Sequence, residues 1–450
     1  MKKLILTTVS AAALMISAPA LAQLSQSSDV DQNGTGNTAT VDQTGGNEGI
    51  SIIDQDGDLH TATVTQSEDP DGSTSFGTPA NRAEVTQTNT NNGSAGGSIA
   101  TIDQFSDNPG GATNLVTLDQ FTDGDPPQQE ADISQSGSGN TVDASQGSIP
   151  TATFPQNGMT ATIIQTGEGN LSNSDQRANR TSAIVTQDGT DNDSNVNQTG
   201  NAGDAEATVT QFGTGNISDI LQSSNGNVTA TVFQDGTTND STVSQGSQAA
   251  SADTFVTQTG TGNLSDVTQS LKAFNGQVDV DQNGTGNDSV VVQNDSAATP
   301  PPFESNLLAD VNQVGSGNIS DVFQDANGAT AFVDQIGSSS NSDIDQTGAS
   351  TADINQSGDS GNSIVNQTAD GNSATLTQMV GSFNETSLIN QDGTNGTVEV
   401  TQSGTDNVSN VFQNSGDLNS ATVSQAGVGN VSNVTQAGDG NSATVSQGGS

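Results

Sequence analysis

The chain contains no cysteine, no tryptophan and no tyrosine, and a single histidine in 450 residues. Without cysteine there is no disulfide, no thiol nucleophile and no cysteine-based metal site. Aromatic residues make up 3% of the chain and hydrophobic residues 29%. So thin an apolar supply does not build an ordinary globular core, and composition alone would class the chain as disordered. Order must come from patterning. Basic residues are as scarce: six Lys and Arg stand against 51 Asp and Glu, for a net charge of -45. Such a surface repels nucleic acid and anionic membranes, which both require a Lys/Arg footprint.

One apolar run of any length exists, and it lies at the N-terminus. Lys2 and Lys3 precede the stretch Leu4 to Ile16, and Ala20-Leu21-Ala22 follows. A basic start, a short apolar stretch and an A-x-A site describe a secretory signal peptide, residues 1–22. The run is too short for a membrane span. The mature chain is expected to begin at Gln23, to be exported, and not to insert into a membrane. Its basic residues are then Arg82, Arg177, Arg180 and Lys272.

What the chain has in abundance is a recurring glutamine. Aligned on it, one stretch reads Gln425-Ala426-Gly427-Val428-Gly429-Asn430-Val431-Ser432-Asn433-Val434-Thr435-Gln436, and the pattern returns at once from Gln436 to Gln447. Two half-repeats alternate. One is Asn-x-Ser-x-Val-x-Gln, as in Asn216-Ser218-Ile220-Gln222 and Asn263-Ser265-Val267-Gln269. The other is Ala-x-Val-x-Gln, as in Ala207-Val209-Gln211 and Ala230-Val232-Gln234. Asn, Ser or Ala, Val or Ile, and Gln occupy every second position, so they share one face of a strand. Gly-x-Gly after the glutamine marks a turn. The sequence therefore predicts an all-β solenoid of strand-turn-strand rungs, about 22–24 residues each and about 17 in number. Residues 165–447 form the regular part and residues 23–164 an irregular part with loop insertions.

One rung buries about one Val and one Ala or Ser per half, worth about 2–3 kcal/mol. Ordering its backbone costs about 1–2 kcal/mol per residue. A single rung is therefore unstable, and stacking at about 4.8 Å must supply the rest by pairing each backbone group with the rungs above and below. Stacking also sets Val on Val and amide on amide. The expected internal ladder includes Gln176, Gln187, Gln198, Gln211, Gln222, Gln425, Gln436 and Gln447, with Asn216, Asn263, Asn318, Asn407, Asn430 and Asn441. Amides bonded to their own copies along the axis satisfy polar groups that burial would otherwise orphan.

Extra residues between Gln66 and Asn81, Gln87 and Ser98, and Gln104 and Asn114, and the run Thr299-Pro300-Pro301-Pro302-Phe303, read as loops bulging from turns. Outward positions carry acid: Asp219, Asp266, Asp321 and Asp343 share one slot, which holds Asn410 and Asn433 farther on. Low pH or divalent cations should ease stacking of such columns. Phe233, Phe323 and Phe412 each precede a ladder glutamine and point outward.

No catalytic constellation is visible, and no cofactor or metal site is expected. His60 falls in an Asn slot and reads as a variant of that column. The Gly-x-Gly turns lead into no helix, so they are not phosphate loops. The Gly-Gly-x-Gly-x-Asp nonapeptide of calcium-binding β-rolls does not recur.

Ser432, Gln436, Gly438, Asn441, Ala443 and Gln447 fill each slot of the curlin repeat, and Ser409, Gln413, Asn419, Ala421 and Gln425 fill it with one extra turn residue. The chain resembles the curlin family, with several times more repeats than a typical major curlin. That resemblance implies a subunit of curli, the bacterial extracellular amyloid fibres of biofilm matrix and surface adhesion. It also implies self-assembly as a homopolymer, a dedicated outer-membrane export pore and nucleation on a minor subunit. A soluble, non-polymerising solenoid adhesin is the alternative. An ice-binding solenoid, suggested by Thr61, Thr63 and Thr65, is weaker because the same columns hold Asp, Glu and Phe elsewhere.

Overall fold

The structure, a computed structural model, describes residues 26–448 except 46–48, 69–80, 90–96, 107–111, 123–128, 148–157, 200–203, 224–225, 247–248, 271 and 296–305. The signal-peptide reading and most of each inserted loop lie outside the described residues. Within them the chain is all strand and turn, with 34 strands numbered β1 (Ser27–Asn33) to β34 (Ser442–Gly448). The strands fall into two compact units, Met1–Gly169 and Asn170–Ser450.

In each unit every strand pairs in parallel with the strand two places along, so odd strands build one sheet and even strands a second. Two consecutive strands make a rung, and the fold is a β-solenoid. In unit 2, β14 (Glu206–Thr214) pairs with β16 (Val228–Thr237), setting Ala207 on Ala230, Val209 on Val232 and Gln211 on Gln234. On the other sheet, β15 (Ile217–Gln222) pairs with β17 (Asp240–Gln245), setting Ser218 on Ser241, Ile220 on Val243 and Gln222 on Gln245. Unit 1 obeys the same rule: β2 (Thr38–Thr44) meets β4 (Thr61–Glu68) with Ala39 on Ala62 and Gln43 on Gln66.

Period two explains the core. Along β14 the side chains of Ala207, Val209 and Gln211 are buried, while Glu206, Thr208 and Thr210 face out. A one-residue slip would turn every glutamine to water and every threonine inward, so the alternation pins the register. Branched Val and Ile suit the pleat and stack on their own kind.

From β12 (Ser182–Thr190) to β24 (Thr330–Ser338) the turn at the end of each even strand is set by close approach. Gly213 has φ +106, and a Cβ there would lie 2.0 Å from the carbonyl oxygen of Gly236 in the next rung. Gly236, Gly260 and Gly284 meet the same obstruction from the rung beyond. Glycine is thus required twice, by its backbone conformation and by the stacking distance. The opposite corner is packed differently. Ala178, Ala205, Val228, Ala249 and Ala252 form one buried cluster there, and Ala273, Leu307 and Ala329 another.

Candidate functional site

The glutamines form continuous hydrogen-bonded files. On the odd sheet of unit 2, Gln176 Nε2 donates to Gln198 Oε1 at 2.9 Å, Gln198 to Gln222 at 2.8 Å and Gln222 to Gln245 at 2.9 Å. On the even sheet Gln187 donates to Gln211, Gln211 to Gln234 and Gln234 to Gln258, each at 2.8 Å. The files end at Gln413 to Gln436 and at Gln425 to Gln447. Unit 1 holds its own files, from Gln32 to Gln55 and from Gln43 to Gln66 onward. Most of these Nε2 atoms also donate to a backbone carbonyl of their own rung, as Gln211 does to Asp193 O at 2.9 Å and Gln447 to Val431 O at 2.9 Å. Exchanging N and O on an amide so held would set Oε1 against a carbonyl. The files therefore have one direction, with donors pointing toward the C-terminal rung.

The asparagines run the other way. Asn216 Nδ2 and backbone N both donate to Asn192 Oδ1 at 3.1 Å, and Asn263 does the same to Asn239. Asn318 N bonds Asn287 Oδ1, and Asn430 bonds Asn407 Oδ1 through both nitrogens. These residues share the corner before the odd strands. Asn441 stands in the other corner, before β34, where it donates to Asn419 Oδ1 at 3.0 Å. In five rungs of unit 2 that second corner holds Ala205, Val228, Ala252, Leu307 and Ala329 in place of amides.

Residues 393–427 and 416–449 match the family model of the curlin associated repeat. These C-terminal residues carry the curlin associated repeat. No curated protein is similar enough in sequence to be counted a relative. The matched residues include Gln402, Gln413, Gln425, Gln436 and Gln447. The same files lead back from them, rung by rung, to Gln176 and Gln187.

In unit 2 the first corner departs from its Asn pattern at one place. Three successive rungs replace the first-corner Asn with Ser340, Gly361 and Glu385. Glu385 is 1% exposed. Its Oε2 accepts the Asn407 N–H and its Oε1 the Asn407 Nδ2, each at 3.0 Å. Burial pushes this carboxyl up, the Asn407 bonds oppose that, and Asp406 adds to it. Periodicity reading missed Glu385 because Asn384 sits beside it; counting six residues back from Gln391 selects Glu385 instead.

A second departure lies inside the odd sheet. The hydroxyls of Ser194, Ser218, Ser241, Ser265, Ser289 and Ser320 are buried and have no hydrogen-bond partner. They stack in register, with Ser218 on Ser241 and Ser265 on Ser289. In one rung the pattern closes differently, because Gln356 Nε2 donates to Ser363 Oγ at 2.8 Å.

The outward columns are acidic. Asp219, Asp266, Asp321 and Asp343 are exposed, whereas Phe233, Phe323 and Phe412 face outward half-buried. Asp219 lies diagonally between Asp193 and Asp240 of the adjacent rungs. Partial burial raises the carboxyls of Asp193 and Asp240 above the usual range, with the charge of Asp219 adding to it. Asp288 is raised likewise, by burial first and then by Asp321 and Asp266. Among the described residues no group of three His, Cys, Asp or Glu converges as a metal site would require.

Proposed function

We propose that this protein is a secreted structural subunit that self-assembles into curli-like extracellular amyloid fibres serving biofilm matrix and adhesion. The observation that carries the reading is the pair of directional glutamine files with opposite, complementary ends. Among the described residues Gln32 and Gln43 in the first rung receive no ladder donor, so each offers Oε1. Gln436 and Gln447 in the last rung keep an Nε2 proton that has no ladder acceptor. Setting the last rung of one copy beneath the first rung of the next pairs Gln436 with Gln32 and Gln447 with Gln43. Odd strand then meets odd strand, and the backbone edges of β33 (Val431–Ala437) and β34 are paired as well. Each added molecule thus regenerates the surface that recruited it. By family resemblance, export uses a dedicated outer-membrane pore and a minor subunit nucleates growth.

The test is to incubate purified residues 23–450 and examine the product by electron microscopy and fibre diffraction. Fibres with reflections near 4.7 and 10 Å are expected. A β-rich protein that stays monomeric at every concentration would transfer the assignment to a soluble solenoid adhesin.

A further inference from the structure

We propose that His60 is an acid-sensitive link between rungs of unit 1. His60 precedes β4 and stacks on Asn37, whose Oδ1 accepts the His60 backbone N–H at 3.0 Å. In an Asn column the side-chain oxygen accepts the backbone N–H of the next rung. At His60 the ring takes over that role: Nδ1 accepts the Ser98 N–H at 3.1 Å. Ser98 leads into β6 (Ile99–Ser106), the next even strand. An amide oxygen keeps its lone pairs at any ordinary pH, but an imidazole nitrogen does not. Protonation of Nδ1 would turn the acceptor into a donor facing another donor, and would place a cation at a site 0% exposed to solvent.

The ring state is fixed by geometry. Because Nδ1 accepts, the neutral ring carries its proton on Nε2. Nε2 is buried with no hydrogen-bond partner, and the alternative tautomer would lose the Ser98 bond. Burial lowers the histidine below its usual value, while the Asp56 backbone and the Asp56 and Asp58 carboxylates oppose that. Other charged groups on the strands packed around it are Asp42 on β2 and Asp103 on β6, both at exposed positions. Arg82 and Glu84 on β5 (Asn81–Asn89) pair with each other at outward positions.

The direction of the pH effect follows. A histidine lowered on folding binds fewer protons in the native state than in the unfolded chain. Its contribution is complete above the unfolded value of about 6.5 and is lost as pH falls through the lowered native value. Acid therefore loosens the rungs between β4 and β6. The N-terminal part of the solenoid carries a joint that opens at a pH where its amide-linked columns hold.

The experiment uses soluble protein of residues 23–450 with ¹⁵N-labelled histidine, followed by NMR and amide exchange from pH 7.5 to 4.5. At pH 7.5 Nδ1 should be unprotonated. Ser98 protection, corrected for intrinsic exchange, should fall at least tenfold in step with ring protonation. His60→Asn should keep the protection and lose the step. A proton on Nδ1 at pH 7.5 would overturn the proposal. So would a ring that titrates with Ser98 still protected, or the same step in His60→Asn, which would assign it to the carboxylates. None of these readouts depends on fibre formation.

Discussion

Replacing Gln258 by alanine tests whether the amide files hold the solenoid together or merely occupy it. Gln258 lies in β18 (Ala252–Thr261), fully buried. Its Oε1 accepts from Gln234, and its Nε2 donates to Gln282 Oε1 and to Asp240 O, at 2.8, 2.8 and 2.9 Å. Alanine leaves one donor and two acceptors without this partner in a sealed interior. At about 1–3 kcal/mol for each orphaned group the cost is about 3–9 kcal/mol before any cavity is counted. Val256 in the same strand is equally buried and serves as the control. Val256→Ala removes two methyl groups, about 1.6 kcal/mol of transfer free energy, with a further cavity cost. Gln447→Ala is the second control, because that side chain is half-exposed in the last rung and water can replace its partners; it should cost about 1 kcal/mol or less. Stacked repeats do not unfold as one two-state unit, so the assay must be local. Amide exchange in β16, β18 and β20 (Gln277–Thr285) should accelerate far more in Gln258→Ala than in Val256→Ala. Equal effects of the two, or an effect of Gln447→Ala as large as that of Gln258→Ala, would refute the reasoning.

Two further outcomes are expected from unit 2. Ser265→Ala removes a buried hydroxyl that has no partner, so it should strengthen local exchange protection by about 1 kcal/mol; a loss of protection would show that the hydroxyl is bonded. Asp193, Asp240, Asp288 and Asp310 have carboxyls raised by partial burial and then by neighbouring carboxylates. The native state therefore binds protons more readily than the unfolded chain, and stability should rise as pH falls from 7 through the raised values toward the ordinary 3.8. A thermal midpoint for Asn170–Ser450 strands that stays level or drops between pH 7 and 4, followed by exchange, would contradict this.

Much of the fold was legible because its signal has period two and repeats. Ser218-Ile220-Gln222 and Ala207-Val209-Gln211 announce both strand types. His60 was legible as an Asn-slot variant for the same reason. The second corner was not, because the slot six residues before each even-strand glutamine holds no recurring residue type in unit 2: Ala205, Val228, Ala252, Gly276 and Leu307 follow one another there. Glu385 was masked by its neighbour Asn384. Neither the opposed directions of the Gln and Asn files nor the unpartnered serine hydroxyls leave a trace in residue order, since both depend on which atoms meet between rungs.

The outward carboxylates have a consequence beyond their own titration. From Asn170 to Ser450 acidic residues exceed basic ones by 28, 31 against three. The described residues of unit 2 form 24 strands, hence twelve rungs, and at a rise of about 4.8 Å they extend about 58 Å. That is one net negative charge per about 2 Å, close to the one per about 1.7 Å of duplex DNA. At such a line density a sheath of small cations condenses on the surface and travels with it. The unit is then a polyelectrolyte whose thermodynamics with any multivalent or polycationic neighbour is governed by release of that sheath, with a logarithmic dependence on salt, and by no individual carboxylate.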